Sequence, residues 1–68
     1  MDRIDALRLF TAVAELESFT RAAERMGLTP GAASKQIAAL ETRMQARLLE
    51  RTTRSVRLTD AGRALLDR

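Results

Sequence analysis

A mostly α-helical domain with a small β-hairpin wing, a winged helix-turn-helix, is the fold class this sequence predicts, and three observations carry it. Two helix-capping threonines, Thr20 and Thr29, stand nine residues apart with Gly27 between them. The apolar rhythm then changes from helical to alternating near residue 49. A further cap at Thr59 opens a last helix.

At the start of the chain, Asp2 and Asp5 bring negative charge to the opening turn of a helix, where the dipole favours it, with Asp2 as the cap. Leu7, Phe10, Val13 and Ala14 form its inner stripe, with Ile4 near the upper end. Leu9 and Leu16 fall off that stripe. With Ile4 they widen the apolar surface enough to suggest a second buried side, such as a partner helix. Ser18 ends this helix, and Phe19 sits where it can plug the core.

The next stretch, residues 18–41, organises the rest. Thr20 is expected to cap a helix over 21–26, its hydroxyl accepting an orphan backbone N–H. Gly27 stops that helix, because glycine takes the left-handed conformation most readily. Thr29 caps the following helix, and Pro30 fits its first turn, where the missing N–H would be unpaired anyway. The spacing leaves room for one short helix and a turn, as in a helix-turn-helix. In the second helix Ala33, Ile37, Leu40 and Met44 recur at steps of four, three and four, so they share an inward face. The opposite face holds Gly31, Ser34, Lys35, Ala38 and Thr42, small or polar residues with one cation near the positive end of the helix dipole. Such a face can enter a groove closely and donate hydrogen bonds to phosphate.

Beyond it, Leu49-Glu50-Arg51 and Val56-Arg57-Leu58 alternate around Thr52-Thr53-Arg54-Ser55 and read as a two-stranded hairpin with a four-residue connection. Val56 and Leu58 should face the core and Arg57 the opposite side. Arg54, at the tip, is best placed to reach a minor groove or its phosphate walls. Thr59 then caps a helix from Asp60 to about Asp67, in which Gly62 implies close backbone packing. That helix meets no stop signal before Arg68, so the chain reads as cut in mid-helix.

Composition bounds the function. At 68 residues there is room for one small domain. The chain has no cysteine and no histidine, which removes disulfides, thiolate metal sites and the commonest general base. Its carboxylates (Glu15, Glu17, Glu24, Glu41, Glu50) are spread over helices with no phosphate-binding glycine loop, so no enzyme and no cofactor are expected. Glu41 reads as an ion-pair or capping residue. No apolar run approaches the roughly 18 residues of a membrane span, and no signal-peptide pattern opens the chain; a cytoplasmic protein is expected, with no membrane contact. The net charge is +3, distributed as −1 over residues 1–34 and +4 over 35–68. Arg43, Arg47, Arg51, Arg54 and Arg57 crowd one window opposed only by Glu50, and arginine suits bidentate contact with phosphates and base edges. A helix-turn-helix beside a basic wing points to double-stranded DNA as the partner. A winged-helix module that binds protein is the alternative; its wing and outward face should be apolar or mixed, unlike Lys35, Arg51, Arg54 and Arg57.

The ordered segments Phe10-x-x-Val13-Ala14-Glu15, Ser18-Phe19-Thr20-x-Ala22-Ala23 and Leu28-Thr29-Pro30-x-Ala32-x-Ser34-Lys35-Gln36-Ile37-x-x-Leu40-Glu41 continue into Leu48-Leu49-x-Arg51-Thr52-x-Arg54 and Val56-x-Leu58-Thr59-x-Ala61-Gly62. Across essentially its whole length the chain resembles the N-terminal domain of a LysR-type transcriptional regulator. The resemblance implies a bacterial DNA-binding domain over residues 1–58 and, over 59–68, the first turns of a linker helix that dimerises. It implies a homodimer or homotetramer in the full-length protein, and a small-molecule effector bound by a domain absent here. It also implies groove contacts from Pro30, Gly31, Ser34 and Lys35, a wing contact from Arg54, and phosphate contacts near Thr20, Thr29, Arg51 and Thr52. The chain departs from the family pattern at Ala33, usually a larger aliphatic residue, and at Gln45, commonly a glycine. At Gly31 it lacks a side chain often used for readout.

Overall fold

The computed structural model describes residues 3–51 and 56–67. Helices α1 (Arg3–Leu16), α2 (Phe19–Met26) and α3 (Pro30–Met44) precede strands β1 (Leu49–Arg51) and β2 (Val56–Leu58), and α4 (Asp60–Leu66) follows. The strands pair antiparallel, with Leu49 opposite Leu58, Glu50 opposite Arg57 and Arg51 opposite Val56. The expected cap at Asp2, the placement of the Ile4 side chain and the connection at 52–55 lie outside the described residues.

Each boundary has a local cause. Gly27 takes φ 73° and returns its N–H to the last turn of α2. Thr29 accepts the Ala32 N–H at 3.1 Å and opens α3 with Pro30 behind it. The expected cap at Thr20 is corrected: Ser18 is the cap, accepting the Arg21 N–H at 3.2 Å, and α2 begins two residues earlier than predicted. The reason lies in the preceding turn. α1 ends at Leu16, Glu17 turns through φ 53°, and Ser18 is therefore the extended residue whose oxygen faces the new helix. Ser18 thus starts α2 rather than ending α1.

The core gathers Leu9, Phe10, Ala12 and Val13 of α1 with Ala22 and Ala23 of α2, Ala33, Ile37 and Leu40 of α3, and Leu48, Leu49 and Val56 of the wing. Two expectations about it are corrected. Leu9, off the expected stripe and on the suggested second side, is 0% exposed, while Leu7 and Ala14 of the stripe itself are only half-buried. α1 packs against α2, α3 and β2 together, so its buried arc is wider than one stripe and turns toward Leu9. Met44 holds the correct angle on α3 yet is 41% exposed. Rhythm sets the angle of a side chain but not whether a neighbour stands at that height along the helix. Ala33 is fully buried alongside Ala22 and Ala23, and small side chains here let α2 and α3 approach closely.

Gln45 ends α3 in the left-handed conformation that glycine usually supplies, φ 56°. Its N–H reaches the Thr42 carbonyl, and the Ala46 N–H reaches the Glu41 carbonyl at 3.1 Å, closing the helix in the usual way. Gln45→Gly should therefore stabilise the fold by about 1 kcal/mol by removing left-handed strain. Gly62 is fixed by close packing, since a β-carbon there would overlap the Leu48 carbonyl oxygen and press on Leu58 at 3.1 Å. Gly62→Ala should lose a net of about 1–2 kcal/mol, overcrowding outweighing the gain in helix propensity. Urea unfolding of both variants measures the two opposite shifts.

Candidate nucleic-acid interface

The outward edge of α3 begins at its cap. Thr29, Pro30, Gly31 and Lys35 are exposed, Ser34 is half-buried, and Ala38 and Thr42 continue the exposed side. A β-carbon at Gly31 would meet nothing within 4 Å, so the fold itself leaves that position open. The first N–H groups of α3 and its positive dipole end lie at this edge, where an anion is favoured. Thr20 is exposed in the first turn of α2.

The wing meets this edge through Arg51. Strand alternation puts Leu49, Arg51, Val56 and Leu58 on the side facing the body, and Glu50 and Arg57 on the other. Leu49 and Val56 are buried there. The Arg51 guanidinium instead lies over the Phe19 ring, 4.0 Å from its centroid, and donates to Ser34 Oγ at 2.6 Å. One arginine thus joins β1, α2 and α3. Arg57 faces outward directly opposite Glu50, a pairing of unlike charges across the strands. Thr52 and Arg54 lie outside the described residues.

The arginine cluster therefore divides. Arg51 belongs to the edge formed with α3, whereas Arg43 and Arg47 are exposed at the opposite end of that helix. There Arg43, in the last turn, suits the negative end of the dipole.

What positions the wing is a residue the sequence marked only as an ion-pair or capping group. Glu41 Oε2 accepts the backbone N–H of Leu48 at 2.7 Å and of Leu49 at 3.3 Å. Thr59 completes the anchor from the other side: its N–H reaches the Leu48 carbonyl at 3.1 Å, and its hydroxyl donates to the Arg47 carbonyl. The same hydroxyl oxygen caps α4 by accepting the Gly62 N–H at 3.0 Å. The sequence signals were a carboxylate in the penultimate turn of α3 and a capping threonine after the hairpin; their shared target was not readable. Among the described residues no helix is long and apolar enough to cross a membrane. No group of three or more acidic, histidine or cysteine residues is arranged to hold a metal there either.

Comparison with known proteins agrees with this geometry. A family model described as bacterial regulatory helix-turn-helix protein, lysR family, matches residues 4–63. An uncharacterised helix-turn-helix transcriptional regulator from the ibpB-leuC intergenic region of Azotobacter vinelandii is 59% identical over 63 residues, which are 93% of this chain and 44% of that protein. The uncharacterised regulator YhjC of Escherichia coli K12 is 55% identical over 91% of this chain and 21% of its own length. The chain thus spans under half of the curated relatives it matches. Among solved structures, the BenM DNA-binding domain in complex with catB site 1 DNA superposes with a TM-score of 0.90 at 37% identity, covering 98% of this chain and 73% of that one.

Removing the Glu41 carboxylate should loosen the wing before it unfolds the helices. Glu41→Ala is expected to destabilise by about 1–3 kcal/mol, the value of charge-assisted bonds to two N–H groups left unpaired. Amide exchange at Leu48 and Leu49 should accelerate more than at Ile37, which sits in the helical core. Uniform acceleration would deny the carboxylate this local role.

Proposed function

The chain belongs to the LysR family of bacterial regulatory helix-turn-helix proteins, and on that footing we propose that it binds double-stranded DNA sequence-selectively as the DNA-binding domain of a transcriptional regulator. The observation that carries the reading is the open edge of α3, where Gly31 has no partner in the fold and Lys35 is exposed beside it. α3 enters a major groove by this edge, its first turns reading base edges. Pro30, Gly31, Ser34 and Lys35 approach the bases, Thr20, Thr29 and Thr52 lie near phosphates, and Arg51 stands beside Ser34 at the same edge. Arg54 reaches the adjoining minor groove from the wing. Affinity comes largely from counterion release and falls steeply with salt.

The likeness to a DNA-bound domain at 37% identity supports this reading. A protein-binding wing would want apolar or mixed outward residues, and Lys35, Arg51 and Arg57 are all exposed cations. The reading places the protein in the cytoplasm and assigns it no catalytic step. Residues 1–58 form the reading head and 59–68 the start of a connecting helix. Homodimerisation, which would let two heads read two half-sites, and any response to a small-molecule effector belong to a longer chain.

Gly31→Ala tests the close approach directly. It should stabilise the helix by up to about 1 kcal/mol and also change duplex binding, because the methyl group, free of contacts in the folded chain, stands on the edge that meets the groove. A gain in stability with duplex affinity unchanged would remove this edge of α3 from the groove. Lys35→Ala should weaken binding to a preferred site more than to random duplex; equal losses would deny it a readout role. Arg54→Ala should lower the salt slope by about one unit if it neutralises one phosphate. An unchanged slope in fluorescence titrations would take the wing out of the mechanism.

A further inference from the structure

Serine is an ambiguous reader of DNA. Its hydroxyl has one proton to donate and two lone pairs to accept with, so a free serine satisfies base-edge donors and acceptors alike. In this protein the ambiguity is removed. Arg51 Nη2 donates to Ser34 Oγ at 2.6 Å, from a guanidinium whose central carbon stands over the Phe19 ring, 4.0 Å from its centroid. We propose that Arg51 is a positioning residue that fixes the polarity of Ser34, making it a donor that selects hydrogen-bond acceptors on the major-groove edge of the bases.

Three features support this. First, the donor is charged, so it occupies a lone pair strongly and repels a second approaching N–H, while polarising the remaining O–H toward donation. Second, the proton of Ser34 is not already used within its own helix. Thr11 and Thr42 each donate to the carbonyl four residues back, at 2.9 and 3.0 Å. Among the described residues Ser34 makes no such bond. Third, Arg51 is anchored by strand register rather than by chance. It shares the body-facing side of the hairpin with Leu49, Val56 and Leu58, and from there its guanidinium reaches Phe19 of α2 and Ser34 of α3. The contact with Phe19 limits where the guanidinium can sit.

The chemistry selected is that of guanine N7 and O6, adenine N7 or thymine O4; the amino groups of cytosine and adenine are disfavoured. Arg51 then governs sequence preference without itself touching a base. This assigns Arg51 a role in place of the phosphate contact that the family resemblance implies for it. The inference rests on the DNA-binding reading above.

The test is selection from a randomised duplex pool, with salt titrations, for the 68-residue chain and three variants. Arg51→Met keeps an apolar stem over Phe19 and removes every donor; Ser34→Ala removes the reader; the double variant removes both. Helical circular dichroism first establishes that each is folded. Arg51→Met and Ser34→Ala are expected to relax the preference at the same base pair, by about 3- to 10-fold, one net hydrogen bond. The double variant should relax it no further, and Arg51→Lys, which retains a cationic donor, should recover part of it. If Arg51→Met weakens all sequences equally and lowers the salt slope by about one unit, Arg51 is a phosphate contact and the proposal is overturned. A preference untouched by Ser34→Ala overturns it as well. Wild-type chain that shows no salt-dependent duplex binding would refute the DNA-binding reading itself, a separate result.

Discussion

The peptide of Leu48 is the point on which the geometry of this domain turns. Its N–H is held by the Glu41 carboxylate, its carbonyl accepts the Thr59 N–H and rests against Gly62, and its side chain is fully buried. Those contacts come from α3, from the segment after the wing and from α4, so one residue locks three parts of the chain. A buried backbone group left without a partner costs free energy comparable to a lost hydrogen bond, and here both groups of the peptide are satisfied. In a chain of 68 residues, whose core can stabilise it by only a few kcal/mol, that saturation decides whether the hairpin has a defined place.

The relation of wing to helix follows from that anchor. With Leu48 and Leu49 fixed, β1 leaves the body in a single direction, and alternation carries Arg51 to the inner side two residues later. There it finds Phe19 and Ser34. The outward charge of the wing is moderated by Glu50 opposite Arg57, so the basic character counted along residues 43–57 is not one uniform surface. Arg43 in the last turn of α3 suits the negative end of its dipole, whereas Arg51 bonds Ser34 on its outward edge. Counting charge along the sequence treats these as equivalent, and position in the fold separates them.

The order of elements and most of their ends were legible in the residues. Gly27, Thr29 with Pro30, and Thr59 each act within one turn of chain, so their signals are contained in the local sequence. The hairpin strands were legible for the same reason, through an alternation of period two. The depth of burial along the stripe of α1 and the role of Ser18 were misread because each depends on a neighbour outside its own segment. A single-stripe view of α1 assumes one packing partner, and three are present. The choice between Ser18 and Thr20 as a cap was made by the turn at Glu17, where a non-glycine residue takes positive φ. Of the candidate interface, Thr29, Gly31 and Lys35 stand exposed as expected, while Thr52 and Arg54 fall outside the described residues.

By itself the sequence determined the order and type of the helices and strands, most of their ends, and that one helix would carry a small, cationic outer face. These are properties of residues within a few positions of one another. Tertiary structure decided that Glu41 holds Leu48, seven residues away, and that Arg51 reaches Ser34, seventeen residues away. Such pairings depend on how finished elements pack, and neither periodicity nor capping chemistry records the distance between side chains on different elements.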